Sequence, residues 1–276
     1  MAVTLGEGNT PLLPAPRLSE QLGCELWLKW EGANPTGSFK DRGMTVAVTR
    51  ALERGAPGVV CASTGNTAAS AAAYAARAGL PAVIVLPKGA VARGKLAQAL
   101  AVGAELREVD GTFEEAHALA RQLADEEGLV NVNSINPDRI DGQASAAREI
   151  VEELGGPPDV LALPYGGGGT TRAYLLGFGD ERPRMLSVQT AERSSTFASA
   201  IRIVDPVHRG EIEEAVEVVT VTEDELHEWW HAVARLEGLF CEPASAAGVA
   251  GVAQVRPGGR VVCVLTGHGL KDPDAV

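Results

Sequence analysis

Seven short candidate strands, most of them apolar and often β-branched, punctuate this 276-residue chain, at 25–29, 59–62, 82–86, 105–109, 160–163, 185–189 and 261–265. Most are continuous rather than alternating with polar residues, as strands covered on both faces are. Between them lie longer stretches with helical spacing, at 39–54, 67–78, 91–102, 112–127, 139–153, 223–237 and 244–253. In 112–127, Phe113, Ala116, Ala120 and Leu123 recur every three or four positions and so share one helix face. Strand then helix, repeated, dictates βαβ units and a mainly parallel sheet: the α/β class.

Such a fold must be held by burial, and composition allows it. Apolar residues make up 45% and charged residues 22%, which excludes a disordered chain, a collagen and a coiled coil. A chain of this length buries about three quarters of its unfolded surface and needs no staple. Cys24, Cys61, Cys241 and Cys263 are scattered without CxxC or CxxH spacing, so neither a disulfide framework nor a zinc site is expected. The formal charge of −12 repels phosphate backbones and anionic lipid, so neither nucleic acid nor membrane is an expected partner. The stretch 67–87 is broken by Arg77, Gly79 and Pro81, well short of the ~20 residues a membrane span needs. The first residues lack a basic region followed by an apolar one, so no signal peptide is expected. A cytoplasmic, reducing compartment is.

Three loops could carry chemistry. Gly166, Gly167, Gly168 and Gly169 stand between an apolar run and a helical stretch, offering backbone N–H groups at a helix start, a ready phosphate site. The run is neither GxGxxG nor GK[ST], which weakens dinucleotide and nucleoside-triphosphate readings; a flexible turn is the plain alternative. In CASTGNTAAS (61–70), Ser63, Thr64, Asn66 and Thr67 surround Gly65 before an alanine-rich helix. One of them suffices for N-capping, whereas four together look like a cradle for a small anion. In EGANPTGSFKDRGM (31–44), Pro35, Gly37 and Ser38 read as turn and cap, placing Lys40 in the first helical turn. The helix dipole disfavours an ammonium there, and an amine so tuned suits Schiff-base chemistry; a solvated lysine is the alternative. Five lysines against 19 arginines suggest that a retained lysine is one needed for a deprotonable nitrogen. His227 and His231 have the spacing of a zinc-ligating pair but read as a surface helix face, and the five histidines form no triad with a nucleophile.

GNTPL (8–12), NPTGSFKDRGM (34–44), STGNTAAS (63–70), NPDRIDGQ (136–143), FCEPASAA (240–247) and TGHGLKDP (266–273) together, in this order, resemble the threonine synthases. These are pyridoxal-phosphate enzymes of fold type II, the tryptophan-synthase β group. The resemblance implies two lobes, each a mostly parallel sheet flanked by helices. Residues 1–36 and 137–276 would form the larger, cofactor-binding lobe and 37–136 a smaller mobile one. Lys40 would hold the cofactor as a Schiff base and move the Cα and Cβ protons. Gly166 to Gly169 and Thr170 would hold the cofactor phosphate, Asn66 the pyridoxal 3′-oxygen and Thr266 the pyridine nitrogen. A neutral hydroxyl at that nitrogen would leave it largely unprotonated. Ser63, Thr64, Asn66 and Thr67 would take the substrate carboxylate. Thr67, Ser134 and Arg139 would meet the phosphate of O-phospho-L-homoserine, arginine's fork suiting a dianion. The implied reaction is γ-elimination of phosphate followed by addition of water at Cβ, giving L-threonine, in a homodimer.

The chain departs from the family in two respects. Where threonine synthases carry PVGNAGN it has PYGGGGT, so asparagines become Gly167 and Thr170, and the tetraglycine resembles that of serine and threonine dehydratases. It is also shorter, before Gly8, between Arg172 and Arg182, between Thr190 and Ala198, and after Pro273. A dehydratase, or a shortened paralogue that binds cofactor or amino acid without turnover, are the competing readings.

Overall fold

The computed structural model describes residues 2–89 and 96–276. In chain order its elements are β1 (Leu12–Pro14), α1 (Pro16–Leu22), β2 (Glu25–Trp30), α2 (Lys40–Glu53), β3 (Val59–Ala62), α3 (Asn66–Ala78), β4 (Ala82–Pro87), α4 (Ala97–Ala101), β5 (Glu105–Val109), α5 (Phe113–Glu127) and β6 (Val130–Asn131). There follow α6 (Pro137–Gln143), α7 (Ser145–Leu154), β7 (Val160–Pro164), α8 (Gly169–Phe178), β8 (Arg184–Thr190), α9 (Arg209–Ala215), β9 (Glu217–Val221), α10 (Glu223–Glu237), α11 (Ala247–Val255) and β10 (Arg260–Leu265). The first part of the helix expected over 91–102 lies outside the described residues.

Two compact units emerge. One comprises Met1–Gly8, Asn34–Thr36 and Lys40–Gln143, the other Asn9–Ala33, Gly37–Phe39 and Ala144–Val276. The first holds a parallel four-stranded sheet in the order β5-β4-β3-β6. Alternate residues of β3 enter opposite cores: Val59 and Cys61 pack with Met44, Ala47 and Ala72 of α2 and α3, whereas Val60 and Ala62 pack with Ala116 and Ala120 of α5. Both faces are covered, hence the unbroken apolar run. The side chain of Thr112 and that of Glu115 cap each other's backbone N–H groups at the start of α5.

The second unit holds a six-stranded sheet in the order β1-β2-β10-β7-β8-β9, parallel except for β1 against β2. Its central strand β10 repeats the two-faced pattern, with Val261, Cys263 and Leu265 in one core and Val262 and Val264 in the other. Helices α10 and α11 supply Trp230, Val233 and Val249 to the first core, and α7 and α8 supply Ile150 and Tyr174 to the second. Thr222 and Glu225 form a second reciprocal cap, at the start of α10.

The stretch 139–153, expected as one helix, is two: α6 ends at Gln143 and α7 starts at Ser145. The two units part at this break, rather than between 136 and 137. Backbone approach explains why α6 stays with α2. A Cβ on Gly142 would lie 2.1 Å from the Arg42 carbonyl oxygen, and one on Gly43 would lie 2.6 Å from that of Arg139. Only glycine at both positions lets the helices come this close.

Candidate active site

In both units the expected site residues stand at the carboxyl ends of parallel strands, where open α/β sheets bind ligands. In the first unit the loop after β3 carries Ser63, Thr64, Asn66 and Thr67, and the turn after β6 leads through Ser134 to Arg139. Because β3 and β6 are paired neighbours, these loops meet: Asn133 Nδ2 donates to the Ala62 carbonyl, and its Oδ1 accepts from the Ala62 N–H, both at 2.9 Å. Asn136 caps α6, its Oδ1 accepting from the Asp138 N–H at 2.9 Å. Ser63 is itself a cap. Its hydroxyl accepts from the N–H of Gly65 at 3.2 Å and of Ala68 at 3.3 Å. Thr64, Asn66 and Thr67, at the rim of the same loop, are partly exposed.

Lys40 opens α2, as its turn signals predict. The next residue, Asp41, is fully buried and accepts three hydrogen bonds: Thr36 N–H at 2.7 Å, Thr36 hydroxyl at 2.6 Å and Ser70 hydroxyl at 2.6 Å. It thereby joins the segment before Lys40, the first turn of α2 and helix α3. Sequence reasoning passed over Asp41; its place directly after the candidate lysine was the available signal.

Arg139 is 1% exposed, and burial pushes its guanidinium down to about 10. Nη1 donates to the Val132 carbonyl at 2.9 Å, while Nε and Nη2 are buried without a partner. A buried cation with two spare donors is an anion site in waiting.

In the second unit β7 runs into Tyr165 and the tetraglycine. Gly168, at φ +87°, sits ahead of α8 with no side chain capping the helix. Arg193 braces this turn. Its Nη2 donates to the carbonyls of Gly166 at 2.9 Å and Tyr165 at 3.3 Å, and its guanidinium carbon lies 4.8 Å from the centre of the Tyr165 ring. The His208 N–H donates to the Gly167 carbonyl at 3.2 Å. Thr170 is partly exposed, whereas Thr171 is spent on a buried 2.9 Å bond with Ser187. Thr266 directly follows β10, the strand beside β7; its hydroxyl lies 3.1 Å from that of Ser245 and 3.3 Å from the buried Glu242 carboxylate. The Phe39 N–H donates to the Thr266 carbonyl at 3.0 Å, so Lys40 leaves the turn one residue beyond this tie. Arg193 carried no local sequence signal, and Glu242 stood inside FCEPASAA without being singled out.

These residues fit pyridoxal phosphate. An uncapped helix start behind side-chain-free glycines suits a phosphate, and a buried hydroxyl on the neighbouring strand end suits a ring nitrogen. A family model described as pyridoxal-phosphate dependent enzyme matches residues 3–267. Threonine synthase of Mycobacterium leprae is 49% identical over 99% of this chain and 84% of its own length. The chain belongs to the threonine synthase group of the pyridoxal-phosphate dependent enzymes. Threonine synthase of Synechocystis is 48% identical over 99% of this chain and 79% of its own, and that of Methanocaldococcus jannaschii 44% over 99% and 77%. Maize serine racemase shares the fold, with a TM-score of 0.86, 22% identity, and coverage of 95% of this chain and 88% of that one. So the fold is type II, the cofactor is pyridoxal phosphate, and the enzyme is a lyase shorter than its relatives.

Some expectations need adjusting. Lysine scarcity does not single out reactive nitrogens. Lys29, fully buried, is spent on Glu149 at 3.0 Å, Glu153 at 2.9 Å and the Thr10 carbonyl at 2.7 Å. His227 and His231 face each other, Nε2 to Nε2 at 3.2 Å. Among the described residues no group of three or more His, Cys, Asp or Glu could hold a metal ion, and no helix is long and apolar enough to cross a membrane. Cys61 is buried and its thiol pushed up by burial to about 12; Cys241 and Cys263 are buried and raised as well. None of the three has thiolate character.

Proposed function

We propose that this enzyme is a threonine synthase that converts O-phospho-L-homoserine and water to L-threonine and phosphate. Arg139 carries the reading. Beyond the glycine loop that suits the cofactor phosphate, its two unpartnered buried donors provide for a second anion, and the substrate brings one. A dehydratase acting on threonine or serine has no use for it.

When bound, the cofactor supplies an electron sink for the charge that develops at Cα and then Cβ. Gly166, Gly167, Gly168, Gly169 and Thr170 would hold its phosphate, Thr266 would serve its ring nitrogen and Asn66 its 3′-oxygen. The Lys40 amine, in the first turn of α2, attaches the cofactor and passes protons at Cα and Cβ. Thr64, Asn66 and Thr67 bind the substrate carboxylate at the helix start that Ser63 caps. Arg139, with Ser134 and Thr67, binds the leaving phosphate and neutralises its charge as the Cγ–O bond breaks. The first unit, which carries residues 40–143, serves as the lobe that closes to exclude water until the second half of the reaction. We assign the enzyme to the cytoplasm and to a homodimer, which light scattering on the eluted protein tests.

One coupled assay tests the chemistry. Incubation with O-phosphohomoserine should release phosphate and threonine in equal amounts. A keto acid formed from threonine would select a dehydratase, and no product with cofactor bound would select a binding paralogue. Borohydride reduction should leave the cofactor's mass on the peptide containing Lys40, and Lys40→Ala should abolish both that adduct and turnover.

A further inference from the structure

Two buried polar atoms near the tetraglycine turn have no partner among the described residues and no role in the mechanism above. Tyr165, 0% exposed, has an unpartnered hydroxyl, and His208, whose side chain is 11% exposed, has an unpartnered, buried Nε2. The turn brings them together. A Cβ on Gly168 would lie 3.0 Å from His208 Cβ and 3.6 Å from Tyr165 Cε2, the ring carbon next to the one bearing the hydroxyl. The His208 N–H is also bonded to the Gly167 carbonyl, fixing that backbone to the loop, and Arg193 fixes Tyr165 from the other side. Glu211 lies 3.9 Å from His208 Nδ1, the ring nitrogen other than Nε2.

Native folds seldom leave a buried donor unsatisfied, and two around one glycine turn are rarer still. The turn itself presents backbone N–H groups at the start of the ten-residue helix α8, and its four glycines carry no side-chain donor. We propose that His208 and Tyr165 complete this turn as a site for a phosphate monoester, Nε2–H and Oη–H supplying the side-chain donors that four glycines lack. The proposal rests on the pyridoxal-phosphate lyase reading and extends its phosphate site by two residues. Both phosphate monoesters the enzyme handles, cofactor and substrate, have the required chemistry.

The test uses the full chain stripped of cofactor, as wild type, His208→Ala, His208→Gln and Tyr165→Phe, titrated with pyridoxal phosphate, with pyridoxal and with inorganic phosphate. Reloaded enzyme is then assayed for KM toward O-phosphohomoserine. A rise of at least tenfold in the Kd of pyridoxal phosphate in His208→Ala, with pyridoxal unaffected and partial recovery in His208→Gln, supports the site and assigns it to the cofactor. An unchanged Kd with a tenfold rise in KM supports the site and assigns it to the substrate. Equal weakening of pyridoxal and pyridoxal phosphate with a lowered Tm, or no change in either constant, overturns the proposal and leaves the function standing. If wild type takes up no pyridoxal phosphate, yet binds inorganic phosphate through His208, the lyase reading fails and the anion site survives.

Discussion

Removing the Asp41 carboxylate would strand three donors at once, Thr36 N–H, Thr36 hydroxyl and Ser70 hydroxyl, inside the first unit. Charge-assisted bonds are worth about 1.5–3 kcal/mol each before reorganisation. Asp41→Ala should therefore cost about 3 kcal/mol in urea unfolding, and Asp41→Asn, which still accepts at Oδ1, less. Because Asp41 adjoins Lys40, even the milder variant should lower the fraction of enzyme trapped by borohydride. Arg139 obeys the opposite logic: its burial without full pairing is unfavourable to the fold. Arg139→Met should raise KM for O-phosphohomoserine at least tenfold while leaving the thermal midpoint unchanged or higher, since replacing a poorly paired buried charge is often stabilising. A fall in the midpoint with unaltered KM would show a structural arginine. Lys40 and the tetraglycine were legible in the sequence because their signals are local, a cap and turn before one, a strand and a helix around the other. Asp41 works through Ser70, and the glycine turn is held by Arg193 and His208, all placed by tertiary folding rather than by neighbours in the chain.

Among elements, the contact between α2 and α6 is the tightest constraint. A methyl group at Gly142 would meet the Arg42 carbonyl oxygen at 2.1 Å and the Gly43 Cα at 2.8 Å, both backbone atoms that no rotamer change can move aside. Gly142→Ala should destabilise the protein by about 1–3 kcal/mol, as overpacking does. Gly156→Ala, with open space around it, should cost less in the same thermal melt. Among the seven expected strands, β3, β4, β7, β8 and β10 were readable because two-sided burial writes a mostly apolar run, whereas the edge strand β5, ELREV, has no buried residue. Strands β1 and β6 were not, being three and two residues long with no pattern to detect. Strand β9 is a five-residue edge strand whose Glu217 and Thr220 face solvent, and it alternates only weakly. The break at Ala144 escaped because 139–153 has helical periodicity throughout; packing, not propensity, ends α6 there.

At the scale of the whole molecule, the α/β class and a mainly parallel sheet followed from the strand-and-helix pattern, and the family motifs in order added the second sheet and the chemistry. How the chain is shared between the sheets did not follow, because it depends on pairing over long separations. In the second unit β2 lies between β1 and β10, with Leu26 opposite Val261 and Trp30 opposite Leu265. Residues 40–143, by contrast, form nearly all of the first unit. Contacts between residues close in the chain form sooner than those that must close a loop of more than 200 residues. In pulse-labelled refolding, amides of β3 and β4 should gain protection before those of β2 and β10; simultaneous protection would contradict this order. On the ribosome the asymmetry becomes temporal. The segment that begins with Lys40 can fold while β2, made earlier, still waits for β10, more than 200 residues further along the chain, and for that interval an apolar strand edge is left to chaperones.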